Sequence, residues 1–311
     1  MRFYILLFIT LLAAFPSRAF TIVERFTNDP AADGWQVYGD TNLFQWDSTN
    51  DVLDVTWDSS QTNSYFYLPL GTTVGNSDSF CVEFNLNISD VNAIGYFQMA
   101  VGLCRFEDAT NATFSRANAI SPNLFEFDYY PDGPESFGPS IDATLVDSTS
   151  SFYFTYDATQ PLLNGTNYQI LLIHQANTAT ISGEVFANGQ LVSTLPSVYA
   201  GGAGDFQLDT LAIENYTTTD DIYGDSLLAH GTVSKLAFAS PLPVGVVNTI
   251  AAGQVQFGSD TNWLYTLEQA PDLQTWSTAA PPVMGNGTNL VIQASNPPDD
   301  HSFYRVRADL P

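Results

Sequence analysis

Basic residues are scarce in this chain: 8 of its 311 residues are lysine or arginine, against 33 aspartates and glutamates. The formal net charge of −25 at pH 7 repels the phosphate backbone of nucleic acids, which argues against a nucleic-acid-binding protein. Hydrophobic residues still make up 45% of the sequence. That share is enough to build a large core, so the composition excludes an intrinsically disordered chain.

Helical periodicity is almost absent beyond residue 20. Short runs rich in Val, Ile, Phe, Tyr and Thr recur instead, and many alternate apolar with polar residues, as at Val82, Phe84 and Leu86. The pair Asn188-Gly189 lies between two such runs and predicts a tight hairpin. A parallel α/β fold would need amphipathic helices, which are missing. The sequence therefore predicts an all-β fold, an antiparallel β-sandwich.

One long apolar run occurs, at residues 3–15, between Arg2 and the small-residue segment Ser17-Arg18-Ala19. The run is short for a bilayer span, and the small residues suit a cleavage site. This pattern predicts a secretory signal peptide over residues 1–19, with an uncleaved membrane anchor as the alternative. We therefore expect an exported protein, secreted or at the cell surface, with no membrane span after cleavage.

Only two cysteines are present, Cys81 and Cys104. If the strand-like runs around them form a hairpin with its tip at residues 91–94, the two side chains lie opposite each other. A disulfide is expected in an exported protein, where closing this loop contributes about 3 kcal/mol. Two buried free thiols are the alternative.

Proline and glycine cluster at residues 240–246, where the sequence reads SPLPVGV. About 60 residues follow, and they contain strand-like runs of their own. We therefore predict a large sandwich domain at residues 20–243 and a small β-module at residues 247–311.

The first of these segments resembles the concanavalin A-like lectin/glucanase superfamily, in its laminin-G-like and L-type-lectin-like forms. The resemblance lies in the opening that begins FTNDPAADGW at residue 26 and in the ending GTVSKLAFASP at residues 231–241. It implies a jelly-roll topology. The second segment, with YTLEQAPDLQTW and SFYRVRA, resembles a small C-terminal β-module of exported proteins from Verrucomicrobia and related bacteria, which implies a bacterial source.

The segment NLFEFDYYPDG at residues 123–133 is similar to the metal-binding strand of L-type lectins. The resemblance implies that a cation is held by Glu126, Asp128, the carbonyl of Tyr130, and Asp132. Residues two apart on a strand share a face, and hard oxygen ligands suit Ca²⁺, so calcium is the expected ion. The histidine that the family uses for a second metal is missing from this segment. An acidic strand edge without a metal is the alternative.

Glucanases of the same superfamily carry an E-x-D-x-x-E motif that supplies their nucleophile and acid/base. This chain has Glu126 and Asp128 but Pro131 in place of the second glutamate. Retaining glycosidases need two carboxyl groups about 5 Å apart, and a proline cannot supply a proton. The motif is incomplete, so we predict a non-catalytic protein and assign no catalytic residues.

Aromatic rings exposed beside polar side chains bind sugars, because ring faces stack on the C–H faces of a sugar ring. Trp57, Tyr129 and Tyr153 are the candidates for such a surface, with packing into the core as the alternative for each. We expect the sandwich to bind a polysaccharide or a cell-surface glycan. The second hypothesis is a structural or adhesive protein that contacts its own copies or envelope proteins. The third is a divergent glycoside hydrolase.

Overall fold

The computed structural model describes residues 20–133, 138–155, 157, 161–219, 221–240, 248–251, 253–259, 261, 263–271, 276–295 and 303–309. The predicted signal peptide at residues 1–19 and residues 241–247, which contain the predicted domain boundary at 243–247, lie outside the described residues. No helix in the described ranges is long and apolar enough to cross a membrane.

The described residues form strands joined by turns, with one four-residue helix and two short 3-10 turns at Pro30–Asp33 and Thr41–Leu43. The elements are β1 (Phe20–Glu24), β2 (Gln36–Tyr38), β3 (Phe44–Asp47), β4 (Val52–Asp58), β5 (Ser64–Gly75), β6 (Phe80–Ile94), β7 (Met99–Cys104), α1 (Phe106–Ala109), β8 (Leu124–Tyr130), β9 (Ser140–Val146), β10 (Phe152–Phe154), β11 (Asn167–Gln175), β12 (Thr180–Ala187), β13 (Gln190–Tyr199), β14 (Gln207–Asn215), β15 (Ser226–Ser240), β16 (Asn248–Ala251), β17 (Gln254–Gly258), β18 (Leu264–Ala270), β19 (Ser277–Thr278), β20 (Val283–Met284), β21 (Asn289–Gln293) and β22 (Phe303–Asp309).

Two large antiparallel sheets face each other. The eight-stranded sheet runs in the order β13-β12-β11-β6-β15-β4-β3, with β1 also paired to β15, and the seven-stranded sheet runs β10-β9-β8-β7-β14-β5-β2. Strands far apart in the chain, such as β6 and β15, are neighbours, as in a jelly roll. The predicted all-β jelly-roll sandwich is confirmed.

The core lies between the two sheets because alternate residues of each strand point inward. Phe80 and Phe84 of β6 meet Phe125 and Phe127 of β8 edge-on, with ring centroids 5.2 and 5.5 Å apart. All four rings are buried. These contacts between aromatic rings of opposite sheets join the two layers.

The predicted Asn188-Gly189 turn joins β12 to β13. Asn188 has φ 49° and Gly189 has φ 79°, the positive values that a two-residue hairpin of type I′ requires. The hairpin prediction is confirmed.

The C-terminal strands β16–β22 form two small sheets of their own, β16-β17-β21 and β18 with β19, β20 and β22. Their buried side chains, among them Trp263 and Tyr265, form one apolar cluster with Cys81, Ala237 and Ala239 of the eight-stranded sheet. The C-terminal strands therefore pack against the outer face of that sheet. The boundary at residues 243–247 stays a prediction.

The predicted disulfide is wrong, because both cysteines are free and buried. Strand β6 carries Cys81 and pairs with β11 and β15, whereas β7 carries Cys104 and pairs with β8 and β14 in the opposite sheet. The predicted hairpin turn at residues 91–94 belongs instead to β6, which continues to Ile94. The two strands are consecutive in sequence but do not pair.

We expect neither thiol to react in the folded protein. Burial raises the pKa of Cys81 to about 12 and raises that of Cys104 well above its usual value, so the reactive thiolate is scarce. Iodoacetamide at neutral pH should leave the native protein unlabelled and label two thiols after unfolding in guanidinium without reductant. Labelling that requires prior reduction would contradict the free thiols, and rapid labelling of the native protein would contradict their burial.

Candidate functional site

Strand β8 carries three of the four predicted metal ligands, and its side chains alternate between the two faces of the seven-stranded sheet. Phe125 and Phe127 point into the core, so Glu126 and Asp128 lie on the opposite, outer face. That outer face is closed to solvent, since both carboxyl side chains are 0% exposed. The segment between β7 and β8, residues 105–123, covers them with Arg116.

Arg116, in the middle of this covering segment, binds both carboxylates. Its Nε donates to Glu126 Oε1 at 2.7 Å, and its Nη2 donates to Asp128 Oδ2 at 2.9 Å. The arginine side chain is 7% exposed, and its guanidinium lies 5.0 Å from the centroid of the Phe152 ring. The two carboxylates therefore converge on a buried arginine.

Two further carboxyl groups share the outer face of the sheet. Asp142 of β9 lies directly opposite Asp128 in the strand register, and Glu214 of β14 lies two strands away in the same cross-strand row. Both are buried. With Glu126 and Asp128, they make four buried carboxyl groups near Arg116, which we call the acidic cluster.

The acidic cluster holds at least one proton. The Tyr216 hydroxyl oxygen is 2.7 Å from Glu126 Oε2 and 2.9 Å from Glu214 Oε2. A phenol donates a single hydrogen, so one of these two carboxyl groups must itself be protonated and donate to the phenol oxygen. Burial and the nearby Glu126 raise the pKa of Glu214 well above its usual value. Burial also raises the pKa of Asp142 to about 7.

This arrangement does not fit the predicted calcium site. Arg116 already occupies the space between the two carboxylates of β8. The ring of Tyr130 stacks on Tyr96 with centroids 4.0 Å apart, and Asp132 lies past the strand end, where its carboxylate accepts a hydrogen bond from the Gly95 N–H at 3.0 Å. Among the described residues, no group of three or more His, Cys, Asp or Glu side chains is placed to hold a metal ion.

Two of the three rings predicted to stack on sugars are buried. Trp57 is 1% exposed, and Tyr129 is 3% exposed with its hydroxyl oxygen accepting from the Leu162 N–H at 3.2 Å. Neither ring presents a face to a ligand, so these two assignments are wrong. Tyr153 of β10 is half-buried at the margin of the core, and its role stays a prediction.

A cleft of about 540 Å³ opens at the edge of the seven-stranded sheet, where β2 pairs with β5. We call it the polar cleft. It is lined by Tyr38, Gly39, Thr62, Asn63, Ala109, Thr110, Asn111, Ala112, Phe114, Thr217 and Thr219. None of these lining residues carries a charge, although the chain has a net charge of −25.

Hydrogen bonds fix the orientation of both asparagines in the polar cleft. Asn63 Oδ1 accepts from the Thr217 N–H at 2.8 Å, and Asn111 Oδ1 accepts from the Thr113 N–H at 3.0 Å. Neither amide nitrogen has a hydrogen-bond partner among the described residues, so each is available to donate. Tyr38, which is 40% exposed, adds an accessible aromatic ring.

Arg116 and the polar cleft were not predicted from the sequence, for different reasons. Arg116 is one of only six basic residues beyond residue 20, and that scarcity was a usable signal. The polar cleft draws on four separate segments of the chain, and its Asn and Thr residues look like ordinary turn formers. No local sequence pattern therefore predicts the polar cleft.

No protein-family model matches the sequence, and no curated protein matches it significantly. Comparison with solved structures finds similarities at low sequence identity. Lectin II from Ulex europaeus has a TM-score of 0.47 and 16% identity, over 73% of this chain and 99% of that one. Peanut lectin with a 9mer peptide has a TM-score of 0.45 and 11% identity, over 72% of this chain and 98% of that one. The metal-free carbohydrate recognition domain of Emp46p has a TM-score of 0.38 and 13% identity, over 66% and 88%.

Proposed function

We propose that this is an exported, non-catalytic carbohydrate-binding protein whose polar cleft holds a neutral saccharide. The observation that carries the proposal is an uncharged cleft, rich in hydroxyl and amide groups, in a strongly acidic protein. Sugar hydroxyls both donate and accept hydrogen bonds, and Asn and Thr side chains offer matching groups. A charged ligand would be expected to meet a group of opposite charge, and none lines this cleft. Export rests on the predicted signal peptide at residues 1–19.

The surroundings of the polar cleft support a rigid binding wall. The wall at Ala109–Phe114 belongs to the same segment that Arg116 ties to the sheet. At its other end, the Tyr65 hydroxyl donates to the Ala109 carbonyl at 2.9 Å. A wall held at both ends loses little freedom when a ligand binds, which favours affinity.

The same geometry argues against glycoside hydrolysis. The carboxyl pair Glu126 and Asp128 is sealed beneath Arg116, where a substrate cannot reach it. The residues that line the polar cleft include no carboxyl group and no imidazole, so they offer no general acid or base.

A glycan array, read with and without Ca²⁺, tests the proposal. We expect binding to neutral glycans, weak or no binding to sialylated or uronate-containing glycans, and no change when EDTA is added. Asn111→Asp keeps the oxygen that accepts from Thr113, but it removes the amide donor and adds a negative charge. Affinity for the bound glycan should fall about tenfold or more, equivalent to about 1.4 kcal/mol.

Asn188→Asp is the matched control, because it makes the same change at an exposed hairpin turn of the opposite sheet. It should bind as the wild type does. An array without any neutral-glycan signal, or equal affinity of Asn111→Asp and the wild type, would disprove the polar cleft as a saccharide site.

A further inference from the structure

Two adjacent glycines lie where the chain crosses from one sheet to the other. Strand β13 of the eight-stranded sheet ends at Tyr199, and Gly201 and Gly202 then lead towards β14 of the seven-stranded sheet. The polar cleft lies elsewhere, because its residue Thr217 follows the opposite end of β14. Strand β14 has 9 residues and is about 30 Å long, at about 3.3 Å per residue.

A tyrosine side chain lies beside each of these glycines. A Cβ atom added to Gly201 would come within 2.6 Å of Tyr199 Cε2 and closer still to its hydroxyl, so the ring occupies the space that the glycine leaves open. A Cβ added to Gly202 would lie 3.4 Å from the hydroxyl oxygen of Tyr153, on strand β10. We call these four residues the tyrosine platform. Tyr153 is one of the rings predicted from the sequence to stack on a sugar.

The tyrosine platform is open to solvent. Tyr199 is 70% exposed, whereas Tyr153 is half-buried at the margin of the core, and both glycines are exposed. Neither tyrosine hydroxyl has a hydrogen-bond partner among the described residues. The N–H groups of Gly201 and Gly202 have no partner there either. The platform therefore presents ring surface together with donors and acceptors that a ligand can use.

Hydrogen bonds hold the backbone beneath the tyrosine platform in place. The Ala203 N–H donates to the Ala200 carbonyl at 2.9 Å and closes a turn through the two glycines. The Gly204 N–H donates to Asp147 Oδ2 at 2.9 Å, and Asn76 Nδ2 donates to the Gly204 carbonyl at 3.1 Å. A surface that is fixed before binding loses little conformational freedom when a ligand binds.

The chemistry of the tyrosine platform matches a neutral saccharide. Aromatic rings pack on the C–H faces of a pyranose, and free hydroxyl and N–H groups pair with its hydroxyls. Because glycines have no side chain, a sugar ring can approach the backbone closely at Gly201 and Gly202. Asp205, which follows the turn, is exposed and negatively charged, so an anionic ligand is repelled.

We propose that the tyrosine platform is a second saccharide site, which takes a neutral glucose-type chain with one pyranose face against Tyr199 and a neighbouring unit beside Tyr153. In glucose-type rings the hydroxyls are equatorial, so both faces of each ring present C–H groups. The tyrosine platform shares no residue with the polar cleft, and it binds whether or not the polar cleft holds a ligand.

Calorimetric titration with cellohexaose tests the proposal, and it is carried out in the Asn111→Asp variant so that the polar cleft does not contribute. We expect cellohexaose to bind, and β-1,4-linked hexaglucuronate to bind about tenfold more weakly or less, because its carboxylates are repelled. Tyr199→Ala should weaken the binding of cellohexaose about tenfold, because it removes a stacked ring.

Gly201→Ala keeps both tyrosines but places a methyl group where the Tyr199 ring lies. The φ angle of Gly201 is outside the left-handed region, so alanine fits the backbone, and the exposed ring can turn away into solvent. We therefore expect about the same tenfold loss of affinity with an unchanged Tm. Gly258→Ala is the matched control, since an added Cβ there meets no atom within 4 Å. Tyr223→Ala controls for the loss of a tyrosine that is 80% exposed.

No binding of cellohexaose, equal affinity for hexaglucuronate, or displacement of cellohexaose by tetramethylammonium would each overturn the proposal. Unchanged affinity in Tyr199→Ala or Gly201→Ala would do the same. Saccharide binding at the polar cleft should survive Tyr199→Ala in an otherwise wild-type chain, so the two proposed sites fail independently.

Discussion

Replacing Arg116 with methionine should lower the free energy of unfolding by about 3–5 kcal/mol, because it leaves buried carboxylates without their counter-charge. Arg116 donates to Glu126 and Asp128, and both are 0% exposed. Water cannot easily hydrate these two carboxylates in place of the guanidinium, because the site is closed to solvent. Urea unfolding at pH 7, followed by circular dichroism, measures the change.

The control for this prediction is Arg105→Met. Arg105 is 36% exposed and pairs with Glu107 and Asp108 at 3.2 and 3.8 Å. Exposed ion pairs contribute about 0–1 kcal/mol, so this variant should remain close to the wild type. The loss in Arg116→Met should also shrink as the pH falls, because the orphaned carboxyl groups then take up protons. A loss below about 1 kcal/mol at pH 7 would show that the acidic cluster is already neutral without the arginine.

Replacing Asp142 with asparagine should stabilise the protein at pH 8 and have little effect at pH 4. Burial raises the pKa of Asp142 to about 7 in the folded protein, against an ordinary value of 3.8, and Arg116 opposes that rise. The folded state therefore keeps a proton that the unfolded state releases. Stability contributed by this group falls as pH rises from about 4 to about 7, by at most about 1.4 kcal/mol per pH unit, and is then constant.

Asparagine is neutral at every pH in this range, so the variant removes this group's contribution to the pH dependence of stability. We expect the free energy of unfolding of Asp142→Asn to exceed that of the wild type by about 4 kcal/mol at pH 8, as the rise of the pKa from 3.8 to about 7 implies. Guanidinium unfolding curves between pH 4 and pH 8 measure the difference, and Asp33→Asn, at an exposed position, is the control. Identical pH dependence in Asp142→Asn and the wild type would contradict a buried, proton-holding Asp142.

Arg116→Met and Asp142→Asn both change the acidic cluster, so their effects on the free energy of unfolding should not be additive. Arg116 attracts both Asp128 and Asp142, and the pKa of Asp128 is itself raised by burial and by Glu126 while Arg116 lowers it. In the double variant, the loss of Asp142 removes one of the charges that the missing arginine would have left uncompensated. The cost of Arg116→Met should therefore be smaller in the Asp142→Asn background.

The fold class was readable from the sequence because it depends on local patterns. The alternation through Val82, Phe84 and Leu86 encodes one buried face, and the structure buries all three inside the sandwich. The Asn188-Gly189 turn needs positive φ at both positions, which this pair of residues adopts readily. Alternation and turn chemistry act between near neighbours, so neither requires knowledge of the rest of the chain.

Strand partners and the candidate site were decided by the tertiary structure. Alternation shows which side of a strand is buried but not which strand lies beside it, so β6 and β7 looked like a hairpin although they belong to opposite sheets. The acidic face of β8 resembled a calcium site, since no local signal shows that the segment around Arg116 folds over Glu126 and Asp128. The polar cleft likewise exists only where four distant segments meet. Long-range packing sets these contacts, because it brings together groups whose separation in sequence carries no periodic pattern.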